Sequence, residues 1–135
     1  MTATTITAPV VDNRHLVRTG VVAGLVASAA TATTAAIAHA AGVSLEVGGE
    51  AIPVLGFAQL TFVMTLVGVA IAAIVSRKAQ LPARTFVRTT VALTLVSFVP
   101  DVLADAAVST RLVLALTHTI AAAIVIPALS ARLSD

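Results

Sequence analysis

The few charges of this chain are confined to the gaps between long apolar runs, and that placement limits its fold more than any other feature. Only 10% of the 135 residues are charged, against 59% hydrophobic. Lys and Arg cluster at Arg14 and Arg18, then at Arg77, Lys78, Arg84 and Arg88, then at Arg132. Away from the termini, the carboxylates occupy the alternate gaps: Glu46 and Glu50, then Asp101 and Asp105. Spans long enough to cross lipid, separated by gaps of alternating sign, are the pattern of a polytopic membrane protein. The expected fold is all-α, an integral membrane up-down-up-down four-helix bundle, because short connections make consecutive helices antiparallel neighbours.

The boundaries follow from the apolar runs. Residues 1–13 are rich in Thr and Val without helical period and read as a disordered cytoplasmic tail. Residues 14–135 form the four-span domain, with spans at about 16–41, 52–76, 84–108 and 111–133. A cleavable leader is the alternative for the first span, since Arg14 to Arg18 resembles an n-region and Ala38-His39-Ala40 a cleavage site. Its apolar stretch is about twice a typical h-region, which favours a retained helix. Between the first two spans, Gly48-Gly49 suggests a small hairpin, and Pro53 suits the first turn of the next helix. Pro100 and Pro127 fall inside spans, where neighbouring helices can satisfy the freed carbonyls.

Seven of the eight cations lie in gaps on one side, leaving Arg111 alone on the other. The positive-inside rule then puts both termini in the cytoplasm and the protein in the cytoplasmic membrane. A pI of about 10.5 raises the question of nucleic acid, but the Arg residues flank apolar spans instead of forming a stripe with aromatics, so no nucleic-acid partner is expected. The absence of Cys excludes disulfides, thiol redox chemistry and Cys-ligated metals. With no Trp or Tyr, snorkelling Arg side chains take over the role of an interfacial aromatic belt.

The third span carries the polar residues that matter. Thr90, Thr94, Ser97, Asp101 and Asp105 recur at intervals of four and three, on one helical face. That face must look into the bundle or a wet cavity. The hydroxyls are expected to bond helix carbonyls and aid packing. Counted from Arg88, Asp101 rises about 20 Å, and His118 counted back from Arg132 reaches about the same height. The two are expected to face each other, either as a structural clamp or as a proton-titrating or ligand-binding dyad. Arg111 is the expected partner of Asp105 across the outer turn. Asp101, Asp105 and His118 would make only a weak metal site. His39 lies about 10 Å too far out to share a haem with His118, and reads as an interfacial residue that could meet Glu46 or Asp105. Gln59 is expected to join the same outer polar rim. In the first span, Gly20, Gly24 and Ser28, continued by Ala32 and Ala36, form a small-residue ridge for close packing, within the bundle or with a second copy. No phosphate loop, no Ser nucleophile with a matching base and no glycosidase-like carboxylate pair is present, so no cofactor and no enzyme activity is expected.

From Gly42 onward the chain resembles a family of small actinobacterial membrane proteins known only as domain of unknown function 6069. The resemblance rests on Gly42-Val-Ser-Leu-Glu-Val-Gly-Gly, Ile52-Pro-Val-Leu-Gly, Ser97-Phe-Val-Pro-Asp101, and Leu116-Thr-His-Thr with Ala123-Ile-Val-Ile-Pro127. It covers about the last two thirds of the chain, and the segment from His118 to Pro127 is its most specific part. It implies a four-helix membrane fold and no activity. Together these readings point to a small non-enzymatic membrane protein in contact with the lipid bilayer, an accessory subunit of a larger complex or a homo-oligomer. The alternative is a small-solute, ion or proton-coupled carrier built on Asp101 and His118.

Overall fold

The structure is a computed structural model that describes residues 11–135; the expected tail, apart from its last three residues, lies outside them. Four helices follow in order: α1 (Asn13–Ala40), α2 (Val54–Lys78), α3 (Pro82–Leu103) and α4 (Val108–Ser130). Their 28, 25, 22 and 23 residues make rods of roughly 33 to 42 Å, each able to cross a hydrocarbon core about 30 Å thick. All four are also apolar enough to do so, and this is a multi-pass membrane protein. Large side chains such as Leu25, Leu55, Leu95 and Leu112 point outward, which is the expected state of a bundle whose solvent is lipid.

α1 begins earlier than hydropathy alone suggests. Asp12 caps it, accepting a bond from the Arg14 N–H at 2.9 Å, so the helix includes three polar residues, Asn13, Arg14 and His15, before the apolar run. The small-residue ridge of α1 then packs inside the bundle. A Cβ on Gly20 would overlap the Val69 side chain of α2 and approach Leu129 of α4, while one on Gly24 would meet Phe62 and Thr65 at 3.1 Å. Close approach also permits an interhelical bond, Thr31 Oγ1 to Thr61 Oγ1 at 3.0 Å. Gly68 of α2 faces α4 across the diagonal, where a Cβ would meet Leu129 at an ordinary contact distance of 3.7 Å. These contacts surround a core of Leu16, Ala27, Val69, Phe86 and Leu129.

The connection after α1 is a two-stranded antiparallel hairpin, β1 (Glu46–Val47) and β2 (Glu50–Ala51), with Val47 opposite Glu50. Gly48 and Gly49 occupy the turn at φ 60° and 81°, a pair of positive values that a two-residue hairpin turn requires. Leu45, just before the hairpin, also has φ 55°, an uncommon conformation for a residue with a Cβ. It is held there by burial: Leu45 is 1% exposed and plugs a second apolar cluster with Ala35, Phe57 and Val113. The Gly48 N–H bonds the Asp105 carbonyl at 2.8 Å, tying the hairpin to the α3–α4 turn.

α3 ends at Leu103, five residues short of its expected end. Pro100 lacks the N–H that would hold the Val96 carbonyl, and the helix lasts only three residues beyond it. Asp105 therefore sits in the turn, exposed, and not on the helical face of Asp101. At the opposite end, the N-cap position of α3 is Leu81, which has no side chain able to cap. Asp135 takes that role from the far end of the chain, accepting from the Ala83 N–H at 2.8 Å and the Arg84 N–H at 3.3 Å, and pairing with the Arg84 guanidinium at 3.5 Å. A carboxylate at a helix N-terminus also complements the helix dipole.

Candidate functional site

α2 and α3 pack loosely, and between them lies a cleft of about 370 Å³ floored by α4. Its walls are mostly aliphatic, with Leu60 and Met64 from α2, Leu93 from α3, and Ala121, Ala122 and Val125 from α4. Thr90, Thr94 and Ser97 line it from α3, Thr61 and Thr65 from α2, and Thr117 and His118 from α4. The polar face of α3 thus looks into a cavity within the bundle.

Most of these hydroxyls are already satisfied. Thr90 donates to the Phe86 carbonyl at 2.7 Å, Thr94 to Thr90 at 2.8 Å, Ser97 to Thr94 at 2.6 Å, Thr65 to Thr61 at 2.8 Å and Thr117 to Leu114 at 2.8 Å. Each spends its hydrogen on its own helix, as Ser and Thr do where no water competes. They make the wall less greasy without offering a donor to a ligand.

His118 is different. Its Nδ1 lies 2.7 Å from Asp101 Oδ2, bridging α3 and α4. The Asp101 side chain is 8% exposed and that of His118 38%, so the carboxylate is buried behind the ring and the ring faces the cleft. Phe98 fixes the ring further, edge-on with centroids 6.3 Å apart and planes at 80°. A carboxylate that holds one imidazole nitrogen sets the orientation of the other. Nε2 has no protein partner among the described residues.

The other expected rim residues do not join this pair. Arg111 makes no ion pair with Asp105 among the described residues; its Nε is buried without a hydrogen-bond partner. The early end of α3 explains the difference, because Asp105 has left the helix and its backbone serves the hairpin. His39 is exposed on the last turn of α1 and bonds neither Glu46 nor Asp105. Gln59 is exposed on α2, outside the lining of the cleft. No three His, Asp or Glu side chains among the described residues cluster as a metal site would require. The α2 wall, with Thr61 and Thr65, was not singled out by sequence reasoning. Its only signal is a four-residue Thr spacing in an otherwise aliphatic span.

A family model, that of the family of unknown function DUF6069, matches residues 11–135. The chain belongs to this family. The match takes in all four helices of the DUF6069 fold, the hairpin, and both members of the Asp101–His118 pair. No curated protein and no solved structure matches the chain.

Proposed function

We propose that this is a non-enzymatic protein of the cytoplasmic membrane, basic end inside, that binds an apolar small molecule in the α2–α3 cleft, with His118 as the polar contact and Asp101 as its positioning residue. The observation that carries this reading is the 2.7 Å bond that buries the carboxylate and leaves the imidazole on the cleft wall. The cleft volume, about 370 Å³, falls within the range of small-molecule sites.

Nδ1 is taken by Asp101, so Nε2 is the one ring nitrogen that His118 has left for a ligand. The cleft around it is mostly aliphatic, and the matching ligand is a hydrocarbon body with one hydroxyl, which can donate or accept and so suits either tautomer of the ring. Ser97 supports a binding role over a catalytic one, because its hydroxyl is given to the Thr94 carbonyl and not to His118. The oriented binding of such a molecule is also the first requirement of a carrier.

The test uses a long-chain primary alcohol and the alkane of equal length, each added to the purified protein in detergent. The alcohol is expected to raise the unfolding temperature more than the alkane, and His118→Phe to abolish the difference. Equal effects of alcohol and alkane on the wild type would remove His118 from the reading, and no effect of either would remove the cleft.

A second reading, an accessory or structural protein, is favoured by the same bond seen as a tie between α3 and α4, beside hydroxyls that are all internally satisfied. It predicts that Asp101→Leu/His118→Leu is stable and still supports function, whereas a binding site predicts a stable, inactive protein.

A further inference from the structure

A second groove lies between α1 and α4 at the basic end, of about 420 Å³. We propose that it holds one anionic phospholipid, with the phosphate between Arg18 and Arg132 and an acyl chain along Val22, Val26, Ile124 and Ala128. These residues, with His15, Thr19 and Ala23, line the groove. Val26 lies eight residues beyond Arg18, and Ile124 eight residues before Arg132. The helices are antiparallel, so both stretches descend about 12 Å from one cationic mouth into the apolar layer. A trough that is cationic at the membrane surface and aliphatic below it matches a lipid head and tail in one orientation.

The two guanidiniums are free to take that role. Neither pairs with a carboxylate among the described residues, and residues 1–10 contain no Asp or Glu. Asp12, the nearest acid to Arg18 in sequence, is engaged by the Arg14 N–H and by His15 at 3.6 Å, and Asp135, the nearest to Arg132, is engaged at the start of α3. Arg84, at the same end of the bundle, shows the contrast: Asp135 neutralises it at 3.5 Å. Two Arg side chains from different elements suit a phosphate better than a point charge would, because each guanidinium presents a planar fork of donors. A free phosphate would use the mouth alone and leave the aliphatic trough unfilled. The lipid uses both.

The experiment titrates the full chain in mild detergent with phosphatidylglycerol or phosphatidylcholine and counts retained lipid by native mass spectrometry. One phosphatidylglycerol is expected to be retained in preference. At about fivefold per basic residue near a membrane surface, Arg18→Gln/Arg132→Gln should weaken retention about thirtyfold. Arg77→Gln/Lys78→Gln, which removes the same charge at the same end outside the groove, should leave it unchanged. Ala128→Phe keeps both cations but fills the trough, and should also lose the lipid. Equal loss in the two charge-removal variants would reduce the site to a diffuse surface field and overturn the proposal. Full displacement by glycerol phosphate would overturn the lipid in favour of its head group alone. Wild-type retention by Ala128→Phe would overturn the placement of the chain, and this arm decides even where the double Arg variant does not fold.

Discussion

α2 has two neighbours that it treats in opposite ways. Against α1 it is packed so closely that Gly20 has no room for a methyl group and Thr31 reaches Thr61 directly. Against α3 it stands away, and the space between them is the cleft that His118 faces. Both interfaces are made of apolar helices with scattered Thr, so hydrophobicity does not separate them. Side-chain volume at the contact line does. α1 presents Gly20, Ala23, Gly24, Ala27 and Ser28 to the bundle, and small residues let backbones approach where lipid supplies no hydrophobic drive. α3 contains no glycine and turns Phe86, Leu93 and Thr94 to the cleft. One side of the molecule therefore carries its stability, and the other is free to carry a ligand.

The sharpest way to break this contrast is Gly20→Leu. The side chain would enter space held by Val69 and Leu129, and overpacking a close interface costs about 3 kcal/mol. Equilibrium unfolding in micelles should show that loss, and an unchanged stability would mean that α1 does not pack as described. Asp101→Leu comes next. It strands the imidazole of His118, with an expected cost of about 2 kcal/mol for an unsatisfied polar group. Asp101→Asn should cost less, and Asp101→Leu/His118→Leu should recover part of the single-variant loss because neither polar group then lacks its partner. Absence of any recovery in the double variant would deny that the two side chains act on each other.

Asp135→Ala tests the closure of α3 from the far end of the chain. Removing a carboxylate from a helix N-terminus at an exposed site should cost about 0.5 kcal/mol, and less as salt is raised. A salt-independent loss would point to packing and not to charge. The smallest effect belongs to the cleft wall. Thr94→Val removes a hydroxyl bonded within its own helix and keeps the branched shape, so stability should change by less than about 0.5 kcal/mol. A larger loss would show that α3 leans on that hydroxyl and that the loose side is tighter than its geometry implies.

Much of this architecture is legible in the residues themselves. The four spans follow from apolar runs between charged gaps, and the hairpin follows from Gly48-Gly49. Counting helix rise from Arg88 and from Arg132 puts Asp101 and His118 at one height, and the side chains lie 2.7 Å apart. The reading failed where a helix end mattered. Periodicity carried α3 through Asp105 because Ala104, Asp105 and Ala106 contain no strong breaker. The chain leaves the helix at Leu103 and gives the Asp105 carbonyl to Gly48. Arg111 lost its expected partner for that reason. The cap supplied by Asp135 was equally hidden, since its acceptor oxygen and the α3 N–H groups lie 52 residues apart in sequence.

What the sequence determined by itself is everything that depends on one helix at a time: which stretches can span lipid, which residues share a face, and how far along the rod each one sits. Those properties follow from a rise and a period that every helix has. How far neighbouring helices stand apart, and so where the cleft opens, was decided only by tertiary structure. That spacing is set by pairs of residues on different helices, Gly20 with Val69 on one side and the wider α2–α3 contact on the other. The sequence names both members of each pair without stating that they meet.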